Sequence, residues 1–160
     1  MLTKTKRFVS FLVGLGLLLQ SFSGVAFAVE TSSVELFLHA DTPQAATVQA
    51  GATNVAFTKL SFIAGTNLTL KGLAVTRSGV GASSDLSKLQ LLDVQGTVLA
   101  EAVPASNKTQ LNFTYAMVSG QTYLLTLKGD VAAGAAAGAT IKLGVAAAAD
   151  VAGENSASRE

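Results

Sequence analysis

Acidic side chains are the first place to look for chemistry in this sequence, because it has no cysteine and a single histidine. One imidazole and no thiolate cannot assemble the nitrogen and sulfur ligands of a usual transition-metal site. Calcium asks instead for about six to eight oxygens, commonly from loop aspartates and backbone carbonyls. Three residues fit that description. Asp85 lies in the Ser/Gly-rich stretch Ser78–Ser87, and Asp130 and Asp150 border Ala/Gly-rich segments. If a β-fold brings its loops to one end, the three become calcium candidates. Each stands alone in sequence, with no D-x-D run, so the competing reading is three separate loop carboxylates.

Acid–base and nucleophilic chemistry find less support. His39 precedes Asp41, but a serine hydrolase needs a nucleophile elbow such as G-x-S-x-G, which the sequence lacks. Glu30 and Glu35 sit close together near the start of the exported chain, an unsuitable place for a rigid acid/base pair. Asp93 and Glu101 flank a turn, but no aromatics lie beside them in sequence to carry a sugar ring between two carboxylates. The expectation is a protein that is not an enzyme. Asn67-Leu68-Thr69, Asn107-Lys108-Thr109 and Asn112-Phe113-Thr114 match the glycosylation sequon, a short pattern that reads here as polar strand and turn residues. Phe37, Phe57, Phe62, Phe113, Tyr115 and Tyr123 are the only aromatics after residue 28, and they are needed for a core and its margins.

The elements that must position these groups begin after a leader. Lys4, Lys6 and Arg7 precede the apolar run Phe8–Leu19, and the small residues that follow end in Ala26-Phe27-Ala28. A basic start, a short apolar centre and an A-x-A end describe a secretory signal peptide, helical in its centre, with Ala26 and Ala28 marking cleavage before Val29. The run is shorter than the roughly 20 apolar residues of a membrane span. An uncleaved anchor is the alternative reading. Removing residues 1–28 takes three of eleven basic residues and none of ten acidic ones, so eight face ten and the net charge becomes −2. That surface has no basic footprint for nucleic acid or for anionic lipid. Export without cysteine also means that packing alone holds the fold.

From residue 29 to 150 the sequence reads as one all-β domain. Short runs of period-two alternation are separated by Gly, Asn, Asp, Ser or Pro. Val34, Leu36 and Leu38 form the first, Leu111, Phe113 and Tyr115 the clearest, and Ile141, Leu143 and Val145 the last. Two runs change phase. Val55 and Phe57 give way to Leu60 and Phe62 near Thr58-Lys59, and Leu68 and Leu70 give way to Leu73 and Val75 at Lys71-Gly72. Either a β-bulge absorbs one residue, or these strands carry apolar side chains on both faces. Val131–Ala139 reads as a loop of small residues, and residues 151–160 as a flexible polar tail. About seven to nine strands at this spacing predict a β-sandwich.

The stretch from Asp41 to Val151 resembles a module of exported bacterial surface proteins that often recurs within one long chain. The residues that carry the likeness are Asp41-Thr42-Pro43, Val48–Leu60, Leu73–Gly81 with Asp85–Leu89, Tyr123–Val131 and Gly138–Val145. The resemblance implies an immunoglobulin-like β-sandwich in a surface-layer or adhesin setting, and it brings no catalytic motif. A single copy is present, which leaves open whether the chain is a whole protein or a fragment of a repeat protein. The expected role is therefore a secreted or cell-surface structural or adhesive module. It would meet itself or other surface modules through edge strands and loops, the sheet edge beside Ile141–Val145 being the expected contact. A cell-wall glycan or calcium ligand is the alternative. No nucleic-acid partner is expected, and no membrane contact once the leader is removed.

Overall fold

A computed structural model of the chain describes residues 29–31, 34–44 and 47–155. The signal-peptide reading of residues 1–28, with Ala26 and Ala28, lies outside the described residues. The described chain is all-β, built from two antiparallel sheets. Its strands are β1 (Val29–Thr31), β2 (Val34–Leu38), β3 (Val55–Ala64), β4 (Leu68–Ser78), β5 (Leu86–Leu92), β6 (Val98–Ala102), β7 (Lys108–Met117), β8 (Thr122–Val131), β9 (Lys142–Gly144) and β10 (Val151–Asn155). Six strands form one sheet in the order β1-β2-β3-β8-β5-β6. The other is three strands wide, in the order β10-β4-β7, with β9 also on β4.

Alternation decides which side chains the two sheets share. Leu111, Phe113 and Met117 of β7, Leu125 and Leu127 of β8, Leu60 and Phe62 of β3 and Leu89 and Leu91 of β5 point into one core. Leu125, Leu127, Leu91 and Phe62 are completely excluded from solvent. Ile141, Leu143 and Val145 join the same core, and Tyr115 packs at its margin.

Both phase changes are bulges. In β3 the register against β8 shifts between Ala56 and Thr58, leaving Phe57 as the extra residue. In β4 the register shifts against β7 between Leu70 and Gly72, and against β10 opposite the same residues. Lys71 is exposed there, while Leu70 and Leu73 on either side remain buried. Without the shift, one half of β4 would turn its leucines to solvent.

The C-terminal reading needs correction. Val151–Asn155 is not part of a flexible tail but a strand paired with Leu68–Leu73 of β4. β9 and β10 occupy the same edge of β4 in tandem, β9 against Thr76–Ser78 and β10 further along, with a single 3-10 turn Ala148–Asp150 between them. The edge gives Val151–Asn155 ladder partners that its own composition does not announce.

Candidate functional site

The three aspartates singled out for calcium occupy three separate structural positions. Asp85 ends a 3-10 turn, Ser83–Asp85, that leads into β5. Its Oδ2 accepts the Ala82 N–H at 2.7 Å, and its own N–H donates to the Ala82 carbonyl. Asp150 does the same before β10: Oδ2 accepts the Ala147 N–H at 3.2 Å, and the Asp150 N–H donates to the Ala147 carbonyl. The chain thus uses one local device twice, as Ala-Ser-Ser-Asp-Leu and Ala-Ala-Ala-Asp-Val. In each, the carboxylate closes a single turn that launches a strand.

A cation completes each device. Asp85 faces Arg77 of β4, with Nη2 and Oδ2 3.6 Å apart and the two side chains only 5% and 8% exposed. Arg77 Nη1 also donates to the Gly81 carbonyl at 3.0 Å, while Nε and Nη2 have no hydrogen-bond partner. Gly81 has φ +123°, and a Cβ there would land on the Asp85 carboxylate, so glycine is required by conformation and by space. Asp150 pairs with Lys108, the first residue of β7. Since β4 lies between β7 and β10, this ion pair straddles the middle strand of the narrow sheet. Asp130 sits near the end of β8, directly across from Lys88 of β5. Its Oδ2 is 2.9 Å from Lys88 Nζ and its Oδ1 accepts the Asn54 N–H at 2.8 Å.

These contacts set the charge states. The Asn54 N–H, and then Lys88, hold the Asp130 carboxyl below its ordinary value. The hydrogen bond from Lys108 does the same for Asp150. Lys88 is raised by its bond to Asp130. An ionised carboxylate that already accepts a backbone N–H and faces an ammonium or guanidinium has its oxygens committed to the fold. Among the described residues, no three His, Cys, Asp or Glu side chains come together to hold a metal ion.

The other chemistry-bearing residues also resolve into local structure. His39 Nδ1 accepts the Asp41 N–H at 3.1 Å in the turn after β2. Asp93 Oδ1 accepts the N–H groups of Gln95 and Thr97, fixing the β5–β6 hairpin around Gly96 at φ +82°. Glu101 accepts a hydrogen bond from Gln90 at 2.6 Å. Glu30 and Glu35 are cross-strand partners in the register of β1 with β2. Of the sequon asparagines, Asn67 accepts the Ser119 N–H at 2.8 Å, Asn112 accepts from Gln110 and the Asn107 carbonyl accepts the Arg77 N–H.

Sequence reasoning passed over Arg77, Lys88 and Lys108 as ion-pair partners, and it assigned Tyr123 to the core margin without its hydrogen bond. The signal for Arg77 was present: it keeps the inward phase of Leu73 and Val75 in β4. A charged residue on a core phase needs a partner, and Asp85 follows on the adjoining loop. Tyr123 stacks edge-on with Tyr115 at 5.7 Å, and its hydroxyl accepts the Val118 N–H at 2.8 Å, tying the start of β8 to the turn before it.

Ile141–Val145 does lie at a sheet edge, although part of that edge is occupied. β9 pairs with β4, Thr140 bridges to Thr47, and the Leu143 carbonyl on the outer side accepts the buried Thr58 hydroxyl. Among the described residues the two sheets end at β1 and β6, and at β7 and the β9/β10 line. Around β6, alongside exposed Gln95, Thr97 and Glu101, three valines are exposed: Val94 in the preceding turn, Val98 in the strand and Val103 just after it, at 65%, 46% and 73%. Among the described residues, no helix is long and apolar enough to cross a membrane. No family model, curated protein or solved structure matches the chain.

Proposed function

We propose that this protein is an exported, cell-surface β-sandwich module that acts without catalysis, as a structural or adhesive unit working through sheet edges and loops. The observation that carries the reading is the β6 edge. A terminal strand presents unpaired backbone groups, and sheet edges are ordinarily guarded by charge, proline or a bulge. Here Val98-Leu99-Ala100-Glu101-Ala102 has one charged residue and is framed by exposed Val94 and Val103. The register shift at Leu99 and Pro104 beyond the strand limit the edge to a short contact, which suits reversible docking of a neighbouring module.

The immunoglobulin-like part of the reading draws support from the middle of the fold. In such sandwiches the second and fifth strands adjoin in one sheet and the third and sixth in the other, with a tyrosine bonded back to the backbone at the corner between sheets. Here β4 adjoins β7, β5 adjoins β8, and Tyr123 makes the corner bond. The outer strands depart from that plan: β3 takes the place beside β8, and β9 and β10 take the place beside β4. Export rests on the leader pattern of residues 1–28.

The test uses the full chain in an exporting host. A secreted or surface-held protein with an intact mass beginning at Val29, degraded by protease added to whole cells, is the expected result. Val103→Lys should release it from the cell envelope while leaving its urea midpoint unchanged. Retention of Met1–Ala28 in a membrane fraction, or envelope retention indifferent to Val103→Lys, refutes the reading.

A further inference from the structure

Of the strands at the sheet edges, β7 is the longest and the least guarded. β1, β6, β9 and β10 run three to five residues, and each carries a charge: Glu30, Glu101, Lys142 and Glu154. β7 runs ten, and after Lys108 it has nine residues with no charge, proline or glycine. Such guards ordinarily keep the free N–H and C=O groups of an edge from accepting another strand. Lys108 does not serve as one, because its ammonium is paired with Asp150 on the far side of β4. The neighbouring amides also lean over β4. Gln110 Nε2 donates to Asn112 Oδ1 at 3.3 Å, and a Cβ on Gly72 of β4 would come within 2.7 Å of that nitrogen. The Asn107 carbonyl accepts the Arg77 N–H of β4, so alternation turns the backbone groups of Lys108, Gln110 and Asn112 to the free side. Ser106 Oγ occupies those of Lys108. Among the described residues no strand pairs with that side. The described residues that flank 32–33, 45–46 and 156–160 lie at other edges: on β1 and β2, at the Thr47–Thr140 bridge and at the end of β10.

The exposure of β7 indicates its occupant. From residue 108 to 116 it reads exposed, half-buried, exposed, buried, exposed, buried, exposed, half-buried, exposed, the same from either end about Asn112. An antiparallel strand related by a two-fold axis through Asn112 meets each residue with one of equal burial. Leu111 lies beside Phe113, Thr109 beside Tyr115, Gln110 beside Thr114 and Lys108 beside Ala116. Sliding by two residues in either direction sets Leu111 or Phe113 against a half-buried partner, and sliding by one sets the core face of one strand on the outer face of the other. A foreign strand would have to match this pattern independently, whereas a second copy carries it. We propose that β7 pairs antiparallel with β7 of a second copy, with Asn112 facing Asn112 on the two-fold axis. The two narrow sheets then become one continuous sheet. Aliphatic–aromatic and threonine–aromatic neighbours across the new ladder are favourable, and no like charges meet. The contact is isologous and closes at two copies. It uses a different sheet from the β6 contact and stands apart from it.

The experiment is sedimentation velocity of residues 29–160, which hold both sheets entire, across a concentration series to about 1 mM, the weak limit of specific association. A reversible monomer–dimer equilibrium that responds little to salt is expected, since the paired residues after Lys108 are uncharged. Asn112→Lys and Asn112→Asp each set like charges across the axis and should each raise the dissociation constant at least tenfold. Asn112 is exposed, so both variants should keep the parent's urea midpoint. Mixed one to one, the two variants should dimerise again, because Lys then faces Asp. A monomer at every concentration overturns the proposal, as does a dimer indifferent to both substitutions. Loss in each variant without recovery in the mixture overturns the two-fold register. An envelope component that binds the monomer one to one, and no longer binds Asn112→Lys, assigns the edge to another strand and overturns the second copy as its occupant.

Discussion

Removing one charge from the buried Arg77–Asp85 pair tests the account of the β4–β5 loop. Both side chains are more than nine-tenths buried, with 3.6 Å between Nη2 and Oδ2. At an effective dielectric of about 20, opposite charges at that separation attract by about 4–5 kcal/mol. Desolvation of the two groups offsets most of this, and two guanidinium nitrogens already lack partners. The pair therefore adds little net stability, but breaking it leaves a charge in the interior. Asp85→Asn keeps an oxygen for the Ala82 N–H and removes the compensation for Arg77. A loss of about 3–5 kcal/mol is expected, a urea midpoint lower by about 1.5–2.5 M at a slope near 2 kcal/mol per M. Arg77→Met combined with Asp85→Asn removes both charges and should return to within about 1–2 kcal/mol of the parent. Equilibrium urea unfolding followed by tyrosine fluorescence measures all three chains. A single-variant loss under about 1 kcal/mol, or a double variant no more stable than the single, refutes the buried-pair argument.

Phe62→Ala, at a fully enclosed site, should cost about 3–5 kcal/mol in urea unfolding. Tyr123→Phe removes the acceptor for the Val118 N–H and should cost about 0.5–1.5 kcal/mol, with faster amide exchange at Val118. Asp130 and Asp150 have folded-state values lowered from 3.8, so their contribution is complete above that pH and is lost as pH falls through the lowered values. Lys88 is raised from 10.5, so its contribution is complete below that pH and is lost as pH rises through the raised value. Urea midpoints should accordingly fall below about pH 4, and Asp130→Asn should flatten that acid limb; an unchanged limb contradicts the pairing.

Legibility in the sequence tracks how local the cause is. The all-β class, the Asp93 hairpin and the phase changes near Thr58-Lys59 and at Lys71-Gly72 follow from period-two patterning and turn chemistry, which neighbours in sequence decide. β10 does not. Val-Ala-Gly-Glu-Asn is an indifferent strand sequence, and it becomes one because the Ala147–Asp150 turn aims it along the half of the β4 edge that β9 leaves open. Asp85 and Asp150 were legible as loop carboxylates, whereas Asp130, read the same way, lies within β8. Arg77, 8 residues from Asp85, was announced by its inward phase in β4, but Lys88 and Lys108 lie 42 residues from Asp130 and Asp150, so only the fold could introduce those two partners.

The two readings left open at the phase changes, a bulge or strands apolar on both faces, turn out to answer different questions. The bulges keep Leu60, Phe62, Leu73 and Val75 in the core. They leave unexplained the doublets Phe62-Ile63, Leu91-Leu92 and Leu124-Leu125, where adjacent residues must face opposite ways. One member of each doublet is enclosed by the narrow sheet, and the other lies on a face that, among the described residues, no further element covers. Three doublets on three adjacent strands, β3, β8 and β5, bring their outer members close together on that face. Isolated surface leucines would need no explanation. A stripe held in register across a sheet is more than scattered leucines, and Leu92, nearly buried without any partner present, shows that its outer members already pack on one another.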